Sequence, residues 1–259
     1  MIKFIASDLD GTILRNGAQS CDEELFPLVR ELTKRGVMFA PASGRQYPNL
    51  RRLFAPVCDD LMYICENGAL VMYRDEIIYE KPMERSLGID IMKDIYNYED
   101  CEILLSGRNT SYLMPKSKDY VHRMKNIVKN NVTIVDNIYE VEEEFLKISV
   151  YSPTDINKCK DYFLDKWQDK AKAVISGKLW LDFTDFEVNK GNAIKAIQNR
   201  FEIEKEECIA FGDNYNDLEM FEAVKESYAM ITAVDDIKKQ CTRITDRVET
   251  ELSKILQQI

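Results

Sequence analysis

The sequence has only one histidine, His122, and none of its seven cysteines belongs to a Cys-x-x-Cys pair. A single histidine excludes a zinc site built on several histidines and disfavours nucleophilic catalysis that depends on a histidine base. An odd number of scattered cysteines is also unlike a closed disulfide framework. We therefore expect free thiols in a reducing compartment.

Long apolar runs and an excess of positive charge are missing as well. No stretch approaches the roughly 18 uncharged apolar residues of a membrane helix, and the apolar run at 2–6 meets Asp8 too early for the core of a signal peptide. The 35 basic residues are outnumbered by 45 acidic ones, and the net charge of -10 disfavours binding to nucleic acid or to an anionic membrane. We expect a cytoplasmic protein that binds neither. The sequence does not predict its oligomeric state.

What the sequence does contain is the pattern of an α/β fold. Short apolar runs at 2–6, 37–42 and 61–65 each end in a polar turn. Between the first two, Leu25, Val29 and Leu32 recur at helical spacing. Such alternation predicts a Rossmann-like, doubly wound parallel sheet with helices on both faces. Ligands of these sheets bind at the carboxyl ends of the strands, where the polar turns fall.

The pattern changes after a predicted hairpin at 69–79. Strand-like runs at 103–105, 146–151, 173–175 and 179–183 are mixed with helical stretches at 87–98, 119–129 and 155–167, and the acidic run 140–144 predicts one more helix start. The parallel pattern resumes at Asn189 with a helix to about Arg200 and a strand at 208–211. We therefore predict a discontinuous core domain, 1–81 and 188–259, with an inserted α+β cap domain at 82–187.

The string Asp8-Leu9-Asp10-Gly11-Thr12 follows the first predicted strand. Two carboxylates spaced in this way can reach one small volume where Gly11 lets the chain turn. One can attack an electrophile while the other transfers a proton. The structural alternative is an acidic loop that only caps a helix, which would be the usual interpretation of Asp-x-Asp alone.

Three further polar turns could complete a site. Asp213 and Asp217 follow another predicted strand, and with Asp8 and Asp10 they could hold Mg²⁺ through oxygen ligands. Ser43-Gly44 could bind a phosphate through a hydroxyl and backbone amides, and Lys190-Gly191 could supply a cation. Taken singly, these turns are more typical of a capped helix, an ordinary loop and a surface lysine. Together they balance charge for phosphoryl transfer.

These strings resemble the four ordered motifs of the haloacid dehalogenase superfamily. The large insertion and Glu66-Asn67-Gly68-Ala69 are similar to its Cof-type branch of sugar-phosphate phosphatases. The resemblance implies that Asp8 is the nucleophile and that Asp10 is the general acid and then the base. It also implies Mg²⁺ held by Asp8, the backbone carbonyl of Asp10 and Asp213, with Asp217 in support. The implied phosphate-binding residues are Ser43, Gly44, Lys190 and Asn216.

Two positions fall outside this assignment. Family members commonly continue with Ala-Met-Gly-Asn-Ala where this chain has Ala229-Met230-Ile231-Thr232-Ala233, so the resemblance does not extend to contacts from that loop. Arg45 could meet substrate or cap, or could brace its own loop.

The function implied by the resemblance is Mg²⁺-dependent hydrolysis of a small phosphorylated metabolite, with sugar phosphates as the expected substrates. Two alternatives stay open. A phosphomutase would use the same aspartyl-phosphate but return the group to another hydroxyl. A phosphoacceptor signalling protein would keep the phosphoryl group without turnover, although the insertion fits such a small module poorly.

Overall fold

The computed structural model describes residues 1–259. The chain divides into two compact units, one formed by Met1–Glu80 with Asn189–Ile259 and the other by Lys81–Val188. None of its helices combines the length and apolar character needed to cross a membrane.

Fourteen strands and nine α-helices make up the two units. The strands are β1 Phe4–Asp8, β2 Met38–Ala42, β3 Met62–Cys65, β4 Leu70–Tyr73, β5 Glu76–Glu80, β6 Glu102–Ser106, β7 Ser111–Leu113, β8 Val132–Ile134, β9 Lys147–Tyr151, β10 Lys172–Ile175, β11 Trp180–Thr184, β12 Cys208–Gly212, β13 Glu226–Met230 and β14 Arg243–Thr245. The helices are α1 Leu25–Lys34, α2 Tyr47–Leu53, α3 Arg85–Asn97, α4 Lys118–His122, α5 Lys160–Trp167, α6 Lys190–Phe201, α7 Leu218–Glu222, α8 Asp235–Lys238 and α9 Val248–Leu256.

The first unit contains an eight-stranded sheet in the order β14-β13-β12-β1-β2-β3-β4-β5. The strands from β14 to β3 run parallel, whereas β4 and β5 form antiparallel pairs. Every residue of β1 is buried, as expected for a central strand covered on both faces. The predicted α/β class with a parallel core sheet is confirmed.

Helix α6 shows how the sequence fixes its place on this sheet. The side chain of Asn189 accepts a hydrogen bond from the amide of Asn192 at 2.8 Å and so caps the helix start. Ala193, Ile194 and Ile197 are fully buried in the same apolar cluster as the residues of the parallel strands. The first turn of the helix is thereby held at a defined point, and this turn carries Lys190.

The second unit contains a six-stranded sheet in the order β10-β11-β9-β6-β7-β8, which is antiparallel except for the β7–β8 pair. One face packs against α3 and α5 through an apolar cluster that includes Ile95, Ile103, Val150 and Phe163. A smaller cluster on the other face includes Leu104 and Tyr120 of α4. This unit therefore has apolar cores of its own.

Several predicted elements differ from those observed. The acidic run 140–144 does not start a helix, because only Glu140 lies in a short 3₁₀ turn and the chain then becomes irregular. Glu143 instead accepts hydrogen bonds from the amide of Arg108 at 2.9 Å and from the hydroxyl of Tyr112 at 2.7 Å. The helix predicted at 155–167 begins only at Lys160. Strands β7, β8, β13 and β14 were not predicted.

Candidate active site

The polar turns singled out by sequence lie at the carboxyl ends of four adjacent strands of the first unit. In the register of the sheet, Ser7 of β1 pairs with Phe211 of β12, and Asp8 pairs with Ala42 of β2. Ala42 in turn pairs with Ile64 of β3. The turns that follow β12, β1, β2 and β3 therefore emerge side by side, as expected for ligand-binding turns of an open parallel sheet.

Asp8 and Lys190 form the buried centre of this edge. The ammonium group of Lys190 donates to Oδ1 of Asp8 at 2.5 Å and to Oδ1 of Asp217 at 2.6 Å. Lys190 and Asp217 are fully buried, and Asp8 is 6% exposed. A buried charge is stable only when it is paired, so this lysine fixes both carboxylates in place.

Asp217 is fully engaged by groups of the protein. Its Oδ2 accepts hydrogen bonds from the backbone amides of Asp213 at 2.9 Å and Asn214 at 3.0 Å, while Oδ1 receives Lys190. Such a carboxylate orients its own loop and the lysine. The supporting role of Asp217 in a metal site stays a prediction.

Asp213 faces the turn that follows the first strand. Its Oδ1 accepts a hydrogen bond from the hydroxyl of Thr12 at 3.1 Å. A Cβ atom at Gly11, where φ is +99°, would lie 2.3 Å from Oδ2 of Asp213. Only glycine permits this close approach, so the Gly11 of the motif serves both the turn and the neighbouring carboxylate.

The electrostatics of the site are those of crowded carboxylates. Burial raises the pKa of Asp8 to about 8, with Lys190 acting against the shift and the charges of Asp217 and Asp213 adding to it. Burial and the charge of Asp217 also raise the pKa of Asp213. Although burial alone would lower the pKa of Lys190, the carboxylates of Asp217 and Asp8 outweigh burial and raise that pKa.

The same three aspartates could hold a metal ion. One carboxylate oxygen from each of Asp8, Asp213 and Asp217 lies within 4.8 Å of the others. An all-oxygen donor set with several carboxylates fits a hard divalent cation such as Mg²⁺. Burial and the repulsion between neighbouring carboxylates raise the pKa of Asp8 and of Asp213, and such a cation would offset the repulsion.

Asp10 points elsewhere. Arg45 donates from Nε to its Oδ2 at 3.0 Å and from Nη2 to its Oδ1 at 2.6 Å, while the Asp10 side chain remains 58% exposed. The side chain of Asp10 therefore lies outside the carboxylate cluster. Binding of a metal ion by its backbone carbonyl stays a prediction. Neither expectation for Arg45 included this forked pair, in which the guanidinium orients the carboxylate of Asp10.

The expected phosphate-binding residues surround this centre. Ser43 is buried directly beyond β2, and its hydroxyl accepts a hydrogen bond from the amide of Arg45 at 3.3 Å. Asn216 lies in the turn after β12, and its Nδ2 donates to Oδ1 of Asn67 at 3.3 Å. Sequence reasoning assigned Asn67 no role. Its position after a strand end was the signal that could have found it.

Comparison with known proteins decides the family. The family model of haloacid dehalogenase-like hydrolases matches residues 5–251 of this chain. The chain belongs to this family. The YbjI protein of Escherichia coli (strain K12), a 5-amino-6-(5-phospho-D-ribitylamino)uracil phosphatase, is 25% identical over 90% of this chain and 86% of its own.

Solved structures agree with that assignment. A crystal structure from Eubacterium rectale is 26% identical, covers 98% of this chain and 99% of its own, and superposes with a TM-score of 0.89. The HAD subclass IIB sugar phosphatase BT4131, at 19% identity and a TM-score of 0.78, covers 98% of both chains and has the same fold. The predicted membership in the Cof-type branch is confirmed, and the protein is a phosphoric monoester hydrolase.

Proposed function

We propose that this hydrolase removes the phosphoryl group from small phosphorylated metabolites, sugar phosphates above all, through an Mg²⁺-dependent aspartyl-phosphate on Asp8. The observation that carries the proposal is the asymmetry of the two motif aspartates. Asp8 is buried and anchored by Lys190 beside two further carboxylates, whereas Asp10 is exposed and held by Arg45. Different surroundings suit two carboxylates to different tasks.

In the first step, an oxygen of Asp8 attacks the phosphorus atom and the bond from phosphorus to the ester oxygen breaks. The leaving alkoxide takes its proton from the carboxyl group of Asp10, which lies outside the buried cluster. Lys190, held 2.5 Å from Asp8 Oδ1, fixes the direction in which the other oxygen of Asp8 points. Positioning of this kind contributes much of the catalysis in phosphoryl transfer.

In the second step, a water molecule attacks the phosphorus atom of the aspartyl-phosphate while Asp10 accepts its proton. The bond between phosphorus and Asp8 then breaks, which restores the carboxylate and releases inorganic phosphate. Ser43, Gly44 and Asn216, at the ends of neighbouring strands, would bind the phosphoryl oxygens through both steps.

Asp8, the carbonyl of Asp10 and Asp213 would hold Mg²⁺, with Asp217 in support. When bound, the ion supplies positive charge that keeps the crowded carboxylates ionised and offsets the charge of the phosphoryl oxygens.

Two related proteins support the substrate class. YbjI is named for a substrate that carries a phosphate on a ribityl chain, and BT4131 is named a sugar phosphatase. Both names describe phosphate monoesters of polyhydroxylated carbon chains. We also propose that the second unit is the cap expected from the sequence, so that it sets the choice of leaving alcohol and leaves the chemistry unchanged.

A panel of sugar and sugar-alcohol phosphates, assayed for inorganic phosphate with Mg²⁺ and with excess chelator, tests this function. Asp8→Asn should lower turnover by at least about 10³-fold, since it removes the nucleophile at almost unchanged volume. Asp235→Asn is the matched control, because that carboxylate is 89% exposed and lies in the short helix α8. We expect it to have wild-type activity.

Substantial hydrolysis by purified Asp8→Asn protein would contradict the role of Asp8. The alternatives separate in the same assay. Release of phosphate without an activator sugar bisphosphate supports the phosphatase over a phosphomutase. A phosphoprotein that persists for hours without turnover would instead favour a signalling module.

A further inference from the structure

The turn Glu66-Asn67-Gly68 has no part in the chemistry proposed above, although it adjoins the site. It follows β3 and places three successive residues in the left-handed region, with φ of 50° at Glu66, 56° at Asn67 and 101° at Gly68. Residues other than glycine adopt this conformation only at an energetic cost. Asparagine tolerates it better than most residues do. Because this conformation is unfavourable, the residues packed around the turn must hold it in place.

The backbone of the turn is bonded to the proposed phosphate loop. The amide of Asn67 donates to the carbonyl of Ser43 at 2.9 Å, and the amide of Glu66 donates to the carbonyl of Arg45 at 3.1 Å. These two bonds flank Gly44. The loop after β2 is therefore fastened on both sides of its central glycine.

The side chain of Asn67 lies between the two halves of the proposed phosphate site. Its Oδ1 accepts the hydrogen bond from Nδ2 of Asn216 at 3.3 Å. On the other side, a Cβ atom at Gly44 would lie 3.0 Å from its Nδ2. The carboxamide thus contacts the turn after β12 and closely approaches the turn after β2.

The third residue of the turn abuts a third loop of the site. A Cβ atom at Gly68 would lie 2.3 Å from the carbonyl oxygen of Asn189, the residue that caps α6 and precedes Lys190. The turn therefore touches the loops that carry Ser43, Lys190 and Asn216.

We propose that Asn67 is a positioning residue, whose carboxamide sets the separation between the Ser43–Gly44 loop and Asn216 so that both can bind one phosphoryl group. The inference rests on the proposed function. Asn67 acts through its two neighbours, and the affinity for phosphate is the property it controls.

Asn67→Gly tests this role, because glycine keeps the left-handed backbone and removes only the carboxamide. With p-nitrophenyl phosphate as substrate, we expect KM and the inhibition constant of inorganic phosphate to rise about tenfold, the worth of roughly one hydrogen bond. We expect kcat to change by less than about threefold, since uniform binding is what is lost. The rise in melting temperature caused by phosphate with Mg²⁺ should shrink in parallel.

The chain offers a matched control in Asn16→Gly. Asn16 also has a left-handed backbone, with φ of 54°, but lies exposed in a separate turn. The Asn16→Gly variant should have the same KM and the same inhibition constant for inorganic phosphate as the wild-type protein. If Asn67→Gly does the same, or if the two variants change both constants alike, the proposal is wrong.

Two further variants guard against a purely structural explanation. Asn67→Asp keeps the shape and an acceptor for Asn216 but places a negative charge beside Gly44. This variant should bind phosphate more than tenfold more weakly while folding normally, and wild-type phosphate affinity in it would overturn the proposal.

The double variant Asn67→Gly with Asn216→Ala tests whether Asn67 acts through Asn216. Its loss of phosphate affinity should be smaller than the product of the two single losses. Multiplicative losses would show that Asn67 does not act through Asn216.

Phosphate binding and the Asp8→Asn variant distinguish an error in the role of Asn67 from an error in the proposed function. If inorganic phosphate inhibits the wild-type protein and Asp8→Asn abolishes turnover, only the role of Asn67 is at stake. If phosphate does not bind the wild-type protein with Mg²⁺, the proposed function itself fails.

Discussion

At the scale of single residues, the site depends on one buried cation among several carboxylates. Lys190 is fully buried and bonded to Asp8 and Asp217, while Asp213 adds a third acid nearby. Without the lysine, the buried carboxylates would repel one another with no compensating charge. The same side chain therefore stabilises the fold and positions the proposed nucleophile, Asp8.

Lys190→Met should accordingly reduce both activity and stability. We expect the free energy of unfolding at neutral pH to fall by about 3–5 kcal/mol without added metal, the usual cost of breaking a buried ion pair. Added Mg²⁺ should restore part of it. Urea unfolding without and with Mg²⁺ measures the loss of stability and its partial recovery. Lys239→Met, at a side chain that is 72% exposed, is the control and should stay close to wild type. Equal stabilities of the two variants would refute this account.

The exposed motif aspartate leads to a different prediction. Asp10→Asn removes the proposed proton donor and acceptor but leaves the buried cluster intact, so turnover should fall by about 10²–10⁴-fold. Acid-quenched samples should contain either accumulated aspartyl-phosphate or none at all, depending on which step becomes limiting. Mass spectrometry of the quenched protein distinguishes these results. Unchanged steady-state kinetics would remove Asp10 from the mechanism.

Some features of single residues could be predicted from the sequence and others could not. Asp8, Ser43 and Asp213 were predictable because each lies within two residues of the end of a short apolar run that forms a buried strand. The pairing of Arg45 with Asp10 spans 35 positions, and that of Asn67 with Asn216 spans 149. Such contacts follow from which strands become neighbours and from local turn geometry, and no spacing in the chain encodes them.

At the scale of elements, helices α3 and α5 of the second unit are joined through one carboxylate. Asp94 of α3 accepts hydrogen bonds from the hydroxyl of Tyr162 at 2.8 Å, the ammonium of Lys166 at 2.5 Å and the indole of Trp167 at 2.8 Å. Burial alone would raise the pKa of Asp94, but the three donors, Lys166 foremost, outweigh it and lower that pKa. The ionised form is therefore the one that holds the helices together.

Asp94→Asn should cost about 1–2 kcal/mol of unfolding free energy at pH 7, since one partner is partly exposed to solvent. Because the pKa is lower in the folded state, the stabilisation is present above the unfolded pKa of about 3.9 and is lost as the pH falls through the folded value. The difference between variant and wild type should thus vanish in acid.

Tryptophan fluorescence during urea unfolding can follow this change, since Trp167 and Trp180 both lie in the second unit. Asp90→Asn, on the same helix but 64% exposed, is the control. A pH-independent difference between Asp94→Asn and wild type would show that the carboxylate charge is irrelevant.

Elements also differ in how far the sequence predicts them. The strands β1, β2 and β3 are apolar runs with polar turns and were predicted within a residue or two. Strands β7 and β14 contain three residues each, and Ser111, Arg243 and Thr245 among them are polar. So short a stretch shows no periodicity, and its strand state depends on neighbours that are distant in sequence. The helix start predicted at the acidic run 140–144 was wrong for a related reason, because Glu143 accepts hydrogen bonds from the amide of Arg108 and the hydroxyl of Tyr112, both more than 30 positions away.

At the scale of the whole molecule, the second unit is continuous in sequence and has its own cores. Every residue of its two apolar clusters falls within Lys81–Val188. Its ends are also tied together, because Lys81 pairs with Asp185 at 3.6 Å and with Glu187. These are the properties of a segment that can fold alone.

We therefore expect a fragment of residues 81–188 to unfold cooperatively, with a urea midpoint close to that of the tryptophan transition in the intact chain. Circular dichroism and tryptophan fluorescence should report the same transition. A shorter fragment of residues 83–184, which keeps β11 complete but lacks the paired ends, serves as the control and should be less stable. A broad, non-cooperative transition in the longer fragment would contradict an independent core.

The insertion point of this unit has a consequence for how such enzymes diversify. The chain leaves the first unit after β5 and re-enters it at Asn189, one residue before Lys190, so no residue of the proposed site lies within the inserted segment. A gene segment bounded in this way can be exchanged between relatives as a unit. Under the role proposed for the second unit, new substrate preferences can then arise by recombination, while the residues proposed for the chemistry are inherited unaltered.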